Sequence, residues 1–273
     1  MKYIFLIDID GTLVPICTNK VSDSLVSVIK NLQKKGHKFV VATGRSLGSS
    51  QKVIGTGDFD FYACLMGLVI YDNANKKYTQ KINLLNHDAL YDLIGYLIKG
   101  NRQWLYKDLF GDYTIIDDKE FMSYHNLKKV SIERMKKDFE DKNVFQVFVD
   151  GEIDENVKDK YKNNFDFIAV PNGKGSVHYD ITAKNVDKSF IVKYFKENYK
   201  DYKIVAIGDS DNDLGMLKSA DISVAMGNAD EKIKNYCDYV TDTCDNDGVE
   251  KFLKEFIKDW KTCRFSAGSY FMW

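Results

Sequence analysis

Near its start the chain carries a short apolar run that ends in two carboxylates: Tyr3-Ile4-Phe5-Leu6-Ile7-Asp8-Ile9-Asp10-Gly11-Thr12-Leu13. The run is continuous rather than alternating and is rich in β-formers, which is typical of a strand buried on both faces of a parallel sheet. Side chains two positions apart on a strand point to the same side, so Asp8 and Asp10 are expected to converge where the strand ends. Gly11 then permits a sharp turn. Because ligands bind outside the carboxyl ends of parallel strands, this segment predicts a site there.

The segments that follow this run, and the last third of the chain, alternate between helical and strand patterns. Val21–Lys35 has apolar residues at helical spacing and is followed by the apolar run Phe39–Ala42, which makes a βαβ unit. Further on, the pattern predicts helices at Asp187–Tyr199, Asn212–Ser219, Asp230–Tyr236 and Asp247–Ile257 and strands at Lys203–Ile207 and Ile222–Ala225. Residues 1–82 and 183–273 are therefore predicted to form one α/β core with a doubly wound parallel sheet.

The middle of the chain, residues 83–182, has strands joined by turns with helices between them. The predicted helices are His87–Lys99, Ile132–Phe139 and Glu155–Tyr161, and the predicted strands are Gln103–Lys107, Tyr113–Asp117, Phe145–Val149, Phe167–Val170 and Val177–Ile181. This pattern predicts a separate α+β domain inserted into the core. Within it, the Gly-rich stretch Pro171–Ser176 is better explained as an ordinary turn than as a hairpin that brings Lys174 to a substrate.

A second acidic turn follows the apolar strand that ends at Ile207: Gly208-Asp209-Ser210-Asp211-Asn212-Asp213. A calcium loop would need Gly and Glu where this chain has Leu214 and Ala220, so that interpretation fails. A donor set of oxygens, without His or Cys, suits a hard cation such as Mg²⁺. We expect Asp209 to bind it directly, and Asp213 and Asn212 to orient the ligands or contact a substrate.

Two weaker signals complete the set. Thr43-Gly44-Arg45 follows a predicted strand and precedes a predicted helix, so its hydroxyl and N–H groups could hold an anion. Taken alone, a Thr-Gly pair after a strand more often marks only the end of the strand than a binding site. Arg45 fits a substrate contact and a solvated position equally well. Lys188 begins a predicted helix, a position where a lysine is usually on the surface.

Together these four segments resemble the haloacid dehalogenase-like superfamily of phosphohydrolases. They come in the order that the family has: Asp-x-Asp-Gly-Thr-Leu, Thr-Gly-Arg, an isolated Lys, and Gly-Asp-x-x-Asn-Asp. The insertion resembles the α/β cap of the Cof-like branch, and so does Ala225-Met226-Gly227-Asn228-Ala229. That branch usually has Asn-Gly after its third strand, whereas this chain has Met66-Gly67, which removes a polar group near the site.

The resemblance implies an Mg²⁺-dependent phosphomonoester hydrolase. By resemblance, Asp8 attacks phosphorus to form an aspartyl phosphate, while Asp10 protonates the leaving oxygen and later activates water. Mg²⁺ would be held by Asp8, the backbone carbonyl of Asp10 and Asp209, with Asp213 in support. Catalytic or substrate-binding roles are further implied for Thr43, Gly44, Arg45, Lys188 and Asn212. The implied substrate is a small phosphorylated metabolite, either a sugar phosphate or a phosphorylated cofactor.

Composition narrows the classes of function. With 273 residues and a net charge of −1, the chain gives no electrostatic case for binding nucleic acid. Five scattered cysteines suit a reducing cytoplasm better than a disulfide framework, and four histidines show no zinc-ligand spacing. No run approaches the roughly 18 apolar residues that cross a bilayer. We therefore expect a cytoplasmic protein with no membrane or nucleic-acid partner, and nothing in the sequence implies a protein partner.

Three alternatives stay open. A phosphomutase of the same branch shares the motifs but returns the phosphoryl group to a sugar. A signalling receiver also places a phosphoacceptor Asp beside Mg²⁺, a Thr and a Lys, although it is about half this length and needs no counterpart of Asp10. A catalytically silent sugar-phosphate sensor would not need the intact pair Asp8 and Asp10.

Overall fold

A computed structural model describes residues 1–15, 20–55, 58–171 and 177–262. The stretch Asn172–Ser176, which contains Lys174, and the apolar tail beyond residue 262 lie outside the described residues. Among the helices that are described, none combines the length and the apolar character needed to cross a membrane.

The strands and helices largely follow the predicted alternation. The first are β1 (Lys2–Ile7), α1 (Asp23–Gln33), β2 (Lys38–Ala42), α2 (Leu47–Ile54), β3 (Phe61–Cys64), β4 (Val69–Asp72) and β5 (Lys77–Lys81). Then come α3 (His87–Lys99), β6 (Trp104–Lys107), β7 (Asp112–Thr114), α4 (Lys119–Tyr124), β8 (Lys128–Lys129), α5 (Ile132–Glu140), β9 (Gln146–Asp150), α6 (Glu155–Tyr161), β10 (Phe165–Pro171) and β11 (Val177–Ala183). The last are α7 (Ser189–Asn198), β12 (Tyr202–Gly208), α8 (Leu214–Ser219), β13 (Ile222–Ala225), α9 (Glu231–Lys234), β14 (Tyr239–Val240) and α10 (Gly248–Thr262).

The chain divides into two compact units. The first contains Met1–Arg45, Ser50–Gln80 and the chain from Asp187 onward, and the second contains Ser46–Ser49 and Lys81–Val186. The assignment of a catalytic role to residues 1–82 and 183–273, and of a substrate-selecting role to residues 83–182, stays a prediction.

The first unit is built on an eight-stranded sheet with the order β14-β13-β12-β1-β2-β3-β4-β5. The strands from β14 to β3 are parallel, and β4 runs antiparallel to β3. Its central strands are apolar on both faces because helices cover both, so Ile4, Phe5 and Ile204 are fully buried. The predicted α/β class with a doubly wound, mainly parallel sheet is confirmed.

The second unit is an α+β structure with a six-stranded sheet in the order β10-β11-β9-β6-β7-β8. Its strands pair antiparallel except for β7 with β8. One face is apolar: Tyr106, Val147, Val149 and Ile181 are completely buried on it. The other face carries polar side chains, as expected for an antiparallel sheet whose faces differ in environment.

Several elements differ from the sequence prediction. The predicted strand Tyr113–Asp117 is shorter and lies at Asp112–Thr114. The hairpin of β4 and β5 and the helix α4 were not predicted. The residues of β5, Lys77–Lys81, are almost all polar and mostly exposed, so they carry no hydrophobic alternation.

Candidate active site

The site of the first unit lies beside β1, where the strands that follow along the chain are added to opposite sides of the sheet. From β1 the chain proceeds through α1 to β2 on one side, whereas β12 leads to β13 on the other. β1 and β12 are neighbours, with Ile7 opposite Ile207, so the residues that follow both strands emerge side by side. Such a switch point in a parallel sheet opens a crevice at the carboxyl ends of the strands. The sheet therefore brings Asp8 and Asp209 together.

Lys188 is the central cation of this site. Its side chain has no exposure, and its Nζ lies 2.5 Å from Oδ1 of Asp8 and 2.7 Å from Oδ1 of Asp213. It directly precedes α7, which packs against the sheet through Ile191 and Phe195. The surface position that a lone helical lysine usually takes is therefore not its position here. The structure places Lys188 beside the two predicted carboxylates.

The ionisation of this cluster reflects an excess of negative charge. Burial raises the pKa of Asp8 well above its usual range, and the ammonium of Lys188 offsets only part of that shift. The carboxylates of Asp213 and Asp209 add to the raised pKa. Burial opposes the charged form of Lys188, yet Asp213 and Asp8 outweigh burial and raise its pKa. Three carboxylates share one ammonium, so the cluster favours a further cation.

Asp209 approaches Asp8 from the end of β12. Burial and the carboxylate of Asp213 raise its pKa to about 6. Its Oδ1 accepts a hydrogen bond of 2.9 Å from Oγ1 of Thr12. Gly11 has a φ of +76°, and a Cβ at that position would lie 2.4 Å from Oδ2 of Asp209. The absence of a side chain at Gly11 is thus what allows Asp209 to approach the turn.

Asp213 has a different environment from the other two carboxylates. It is completely buried, and its Oδ1 accepts from Lys188. Its Oδ2 accepts from the backbone N–H of Asp209 at 3.0 Å and of Ser210 at 3.1 Å. Both oxygens are therefore engaged by donors, which suits the predicted supporting role better than direct metal binding.

The carboxylates form a candidate metal centre. One oxygen each of Asp8, Asp209 and Asp213 can be chosen so that all three lie within 4.8 Å of one another. The donors are carboxylate oxygens, which hard cations such as Mg²⁺ prefer, and the surplus negative charge also suits a divalent ion. The side chain of Asp10 is not in this group.

Asp10 is paired with Arg45. The Nε and Nη2 atoms of Arg45 donate to the two oxygens of Asp10, both at 2.7 Å. About half of the Asp10 side chain is exposed, and a third of that of Arg45. Asp10 is nevertheless close enough to Asp209 that its charge contributes to the raised pKa of that carboxyl. Arg45 is therefore a partner of the predicted acid rather than a solvated side chain.

Thr43 and Gly44 lie beyond the end of β2. Thr43 is buried, and its Oγ1 accepts from the N–H of Arg45 at 3.1 Å. A Cβ on Gly44 would lie 2.8 Å from Cε of Met66, so the methionine occupies the space beside this predicted anion contact. Met66 has a φ of +58°, in the left-handed region that Asn tolerates better than Met.

The acidic turn after β12 separates into two kinds of residue. Oδ1 of Asn212 accepts from Oγ of Ser210 at 3.1 Å, close to Asp213. Asp211 instead points away: it is exposed and pairs with Lys232 at 3.0 Å. Only part of the Asp-x-Asp-x-Asp pattern thus faces the site.

Two site residues were not predicted from the sequence. Thr12 binds Asp209, as described above. Nδ2 of Asn228 donates to the carbonyl of Gly11 at 2.9 Å and to Oδ2 of Asp209 at 3.3 Å. Asn228 follows β13, the strand next to β12, so its place after a buried strand was the available signal.

The matching family model decides the family of the chain. The model for haloacid dehalogenase-like hydrolases matches residues 5–253. This range begins within β1, ends within α10 and includes the insertion. The chain belongs to the haloacid dehalogenase-like hydrolases. The predicted family, its Cof-like branch and the predicted enzyme class, a phosphatase of this type, are confirmed.

Similar proteins cover nearly the whole chain. The 5-amino-6-(5-phospho-D-ribitylamino)uracil phosphatase YcsE of Bacillus subtilis is 25% identical over 259 residues, which are 92% of this chain and 94% of that protein. A haloalkanoate-superfamily phosphatase from Bacteroides thetaiotaomicron, BT1666, has a similar structure, with a TM-score of 0.76 and 27% identity over 94% of this chain and 95% of that one. The structure of TM0651 from Thermotoga maritima gives a TM-score of 0.77 at 22% identity, over 93% of this chain and 97% of that one.

Proposed function

We propose that this hydrolase removes the phosphoryl group from a small phosphorylated metabolite, with Asp8 as the nucleophile and Mg²⁺ as the cofactor. The observation that carries the proposal is the buried ammonium of Lys188, bonded to both Asp8 and Asp213 at the end of β1. A buried lysine between carboxylates fixes the position of Asp8 and favours its ionised form, which is the form that attacks phosphorus.

The charge of the cluster supports the choice of Mg²⁺. A carboxylate that attacks a phosphate dianion is repelled by it, and catalysis of phosphoryl transfer is largely positioning and charge stabilisation. Asp8 and Asp209 would hold the ion, and Asp213 would fix the turn and the lysine. When bound, Mg²⁺ would neutralise charge on the phosphate oxygens. The backbone carbonyl of Asp10 as a further ligand stays a prediction.

The reaction takes two steps. A carboxylate oxygen of Asp8 forms a bond to phosphorus while the phosphorus–oxygen bond of the ester breaks, and the leaving oxygen takes a proton from Asp10. Water then attacks the aspartyl phosphate and gives a proton to Asp10. The bond from phosphorus to Asp8 breaks, which releases inorganic phosphate and restores Asp8 as a carboxylate and Asp10 as a protonated acid. Lys188 and the donors of Thr43 and Gly44 would stabilise the phosphoryl oxygens.

Arg45 has a specific place in this scheme. Its Nε and Nη2 donate to the two oxygens of Asp10, so both oxygens are occupied before a substrate arrives. Asp10 can act as an acid only after this pair has opened. The phosphate of an incoming substrate offers Arg45 another anionic partner, so substrate binding would release Asp10 for proton transfer.

The substrate class rests on relatives. The phosphatase YcsE and a second B. subtilis 5-amino-6-(5-phospho-D-ribitylamino)uracil phosphatase, YitU, match over 92% and 93% of this chain. Phosphoglycolate phosphatases match a shorter part, as with 39% identity over 28% of the chain for that of Methanobrevibacter smithii. These names support a small phosphorylated metabolite as the substrate, either a sugar phosphate or a phosphorylated cofactor. The cytoplasmic location stays a prediction.

The test is a screen of phosphate esters with Mg²⁺ for release of inorganic phosphate, run with the wild type and with Asp8→Asn. We expect turnover of at least one monophosphate and a loss of about a thousand-fold or more in the variant, since removing one essential group of a catalytic unit typically costs several kcal/mol. Asp211→Asn is the matched control, because Asp211 is an exposed carboxylate of the neighbouring turn.

The covalent step has its own readout. Acid quenching during turnover should trap a phosphoryl group on Asp8 of the wild type, visible by intact mass and by peptide mapping. Full activity in Asp8→Asn would reject the covalent route, and transfer of phosphate within a sugar without release would instead indicate a mutase.

A further inference from the structure

We propose that Asn228 is a positioning residue that holds the carboxylate of Asp209 in place for the metal ion of the first unit. This role rests on the proposed function, because the ion is the Mg²⁺ proposed there. Asn228 follows β13, and its side-chain amide contacts the segments that follow three other strands: Gly11 after β1, Asp209 after β12 and Cys244 after β14. All four residues belong to the first unit.

Four hydrogen bonds link these segments into a closed ring, called here the turn ring, of Thr12, Asp209, Asn228 and Cys244. Oγ1 of Thr12 donates to Oδ1 of Asp209 at 2.9 Å, and Nδ2 of Asn228 donates to Oδ2 of the same carboxylate at 3.3 Å. The N–H of Cys244 donates to Oδ1 of Asn228 at 2.8 Å, and its thiol donates to the carbonyl of Thr12 at 3.1 Å. The four residues follow β1, β12, β13 and β14, which are neighbours in the sheet, so the strand order brings them together.

The surroundings of the Asn228 amide fix its orientation. Its Nδ2 faces two acceptors, the carbonyl of Gly11 at 2.9 Å and Oδ2 of Asp209, while its Oδ1 faces the N–H of Cys244. Exchange of the two ends of the amide would set oxygen against oxygen on one side and donor against donor on the other. The side chain at this position can therefore only donate to Asp209. An aspartate in its place would add a negative charge beside that carboxylate.

Both side-chain donors of the turn ring to Asp209 are neutral, which distinguishes this carboxylate from Asp213. Asp213 accepts from the ammonium of Lys188 at 2.7 Å, so its charge is compensated within the protein. The hydroxyl of Thr12 and the amide of Asn228 instead orient both oxygens of Asp209 without adding a positive charge. Each carboxylate oxygen can accept more than one bond, so an oriented Asp209 still has lone pairs and charge for a divalent ion.

The backbone beside Asn228 also holds it against the segment that leads to Cys244. The N–H of Gly227 donates to the carbonyl of Asp242 at 3.1 Å. A Cβ at Gly227 would lie only 2.8 Å from the backbone nitrogen of Thr243, so the two segments approach as closely as glycine allows. Asn228 therefore enters the turn ring from a backbone that is itself fixed by its neighbours.

Asn73 in the same unit offers a matched asparagine with a structural setting. Its Nδ2 donates to the carbonyl of Phe59 at 2.9 Å, and its Oδ1 accepts from Nζ of Lys76 at 2.8 Å. It follows β4, which runs antiparallel to β3, so it lies at the opposite edge of the sheet from Asp209. The two asparagines thus share the same kinds of contact but differ in their place relative to the site.

The test measures binding of Mg²⁺ to the full chain without substrate, by isothermal titration calorimetry, and the thermal unfolding midpoint in the presence of a chelator. We expect Asn228→Ala to raise the Kd for Mg²⁺ about ten- to hundred-fold, since groups that orient a metal ligand commonly contribute that much affinity. Asn73→Ala should lower the unfolding midpoint and leave the Kd unchanged, because its contacts serve folding alone.

Thr12 tests the turn ring by a smaller change and decides the matter if Asn228→Ala does not fold. Thr12→Ser keeps the hydroxyl that donates to Asp209, so it should bind Mg²⁺ as the wild type does. Thr12→Val keeps the shape of the side chain but loses the donor, and it should raise the Kd about ten-fold. A role of Thr12 in packing alone would give the opposite order, because serine loses the methyl group and valine keeps it.

Equal Mg²⁺ affinity in Asn228→Ala and the wild type rejects the positioning role. Equal losses of affinity in Asn228→Ala and Asn73→Ala also reject it, because they would trace the loss to general destabilisation. If the wild type binds Mg²⁺ but hydrolyses no phosphate ester, the proposed hydrolysis fails and the same titrations still decide the role of Asn228. A wild type that binds no Mg²⁺ overturns both the proposed cofactor and this role.

Discussion

The two units of this protein treat buried polar groups in opposite ways. In the first unit, Lys188 and Asp213 are completely buried and every one of their charged atoms described above has a close partner. In the second, Nε2 of Gln146 and Oγ1 of Thr182 are buried and have no hydrogen-bond partner among the described residues. Groups that act on a reacting bond must be held in place before the substrate arrives, and the fully partnered cluster of the first unit meets this requirement.

The largest effect on stability is expected from replacing Lys188, the buried cation of the first unit. Lys188→Met leaves Asp8 and Asp213 buried without their cation, which should lower the free energy of unfolding by about 3–5 kcal/mol. Chemical denaturation measures the change, and activity should fall at least a hundred-fold. Lys193→Met, an exposed lysine on the same helix, should change stability by less than about 0.5 kcal/mol. A variant at Lys188 as stable as the wild type would show that the ammonium does not hold the site together.

Magnesium should stabilise the first unit's site measurably. An ion bound only by the folded chain at a hundred times its Kd adds about 2.7 kcal/mol to the free energy of unfolding. We expect the unfolding midpoint of the wild type to rise with Mg²⁺ at constant ionic strength. Asp209→Asn should reduce the rise, because it removes one negative ligand.

The control for this experiment is Asp211→Asn, two residues away in the same turn. Asp211 is exposed and pairs with Lys232, so its replacement should leave the response to Mg²⁺ intact. Equal responses in the two variants would remove Asp209 from the metal site.

Acid should weaken the second unit through two histidines that flank Phe148. The ring centroids of His125 and His178 lie 4.8 Å and 4.5 Å from that of Phe148. Burial lowers the pKa of both, and Lys107 also lowers it, although Asp150 and Asp180 oppose the shift. Each histidine thus binds its proton less readily when folded than in the unfolded chain, where its pKa is about 6.5. Their contribution to stability is present above pH 6.5 and is lost as the pH falls below it.

The measurement is the unfolding midpoint at pH 7.5 and at pH 5.5. His178→Gln should show a smaller loss on acidification than the wild type, since glutamine does not titrate. An identical pH dependence in the two proteins would contradict this reading of the histidine.

The smallest effect is expected at Met66. Met66→Asn places a residue that tolerates the left-handed backbone at a φ of +58° but gives up a buried thioether, so the two changes in stability should largely cancel, to within about 1 kcal/mol. The new amide lies near Thr43 and Gly44, and we expect a change of KM by a few-fold with little change in stability. The measurements are substrate titration and thermal unfolding. A large loss of stability would show that the methionine is needed for packing.

The sequence predicted those strands and site residues for which the local residue pattern agrees with the burial in the structure. The strands β1, β2, β12 and β13 were predictable because each is an apolar run, and Asp8 and Asp209 because carboxylates directly follow such runs. Lys188 could be placed only through its resemblance to a family, since a single lysine before a helix has no local signature.

Other features depend on contacts between distant residues. The pairing of Arg45 with Asp10 and of Asn228 with Asp209 is set by the order of strands in the sheet, which hydrophobic periodicity does not encode.

Gly11 has a consequence for how the chain can vary. A methyl group there would overlap a carboxylate oxygen of Asp209, which lies almost two hundred positions away along the chain. The residue allowed at position 11 is therefore dictated by a side chain that is distant in the sequence. A side chain at position 11 would displace Asp209 and so disturb the proposed metal centre, although glycine itself contributes no side-chain atom to that centre.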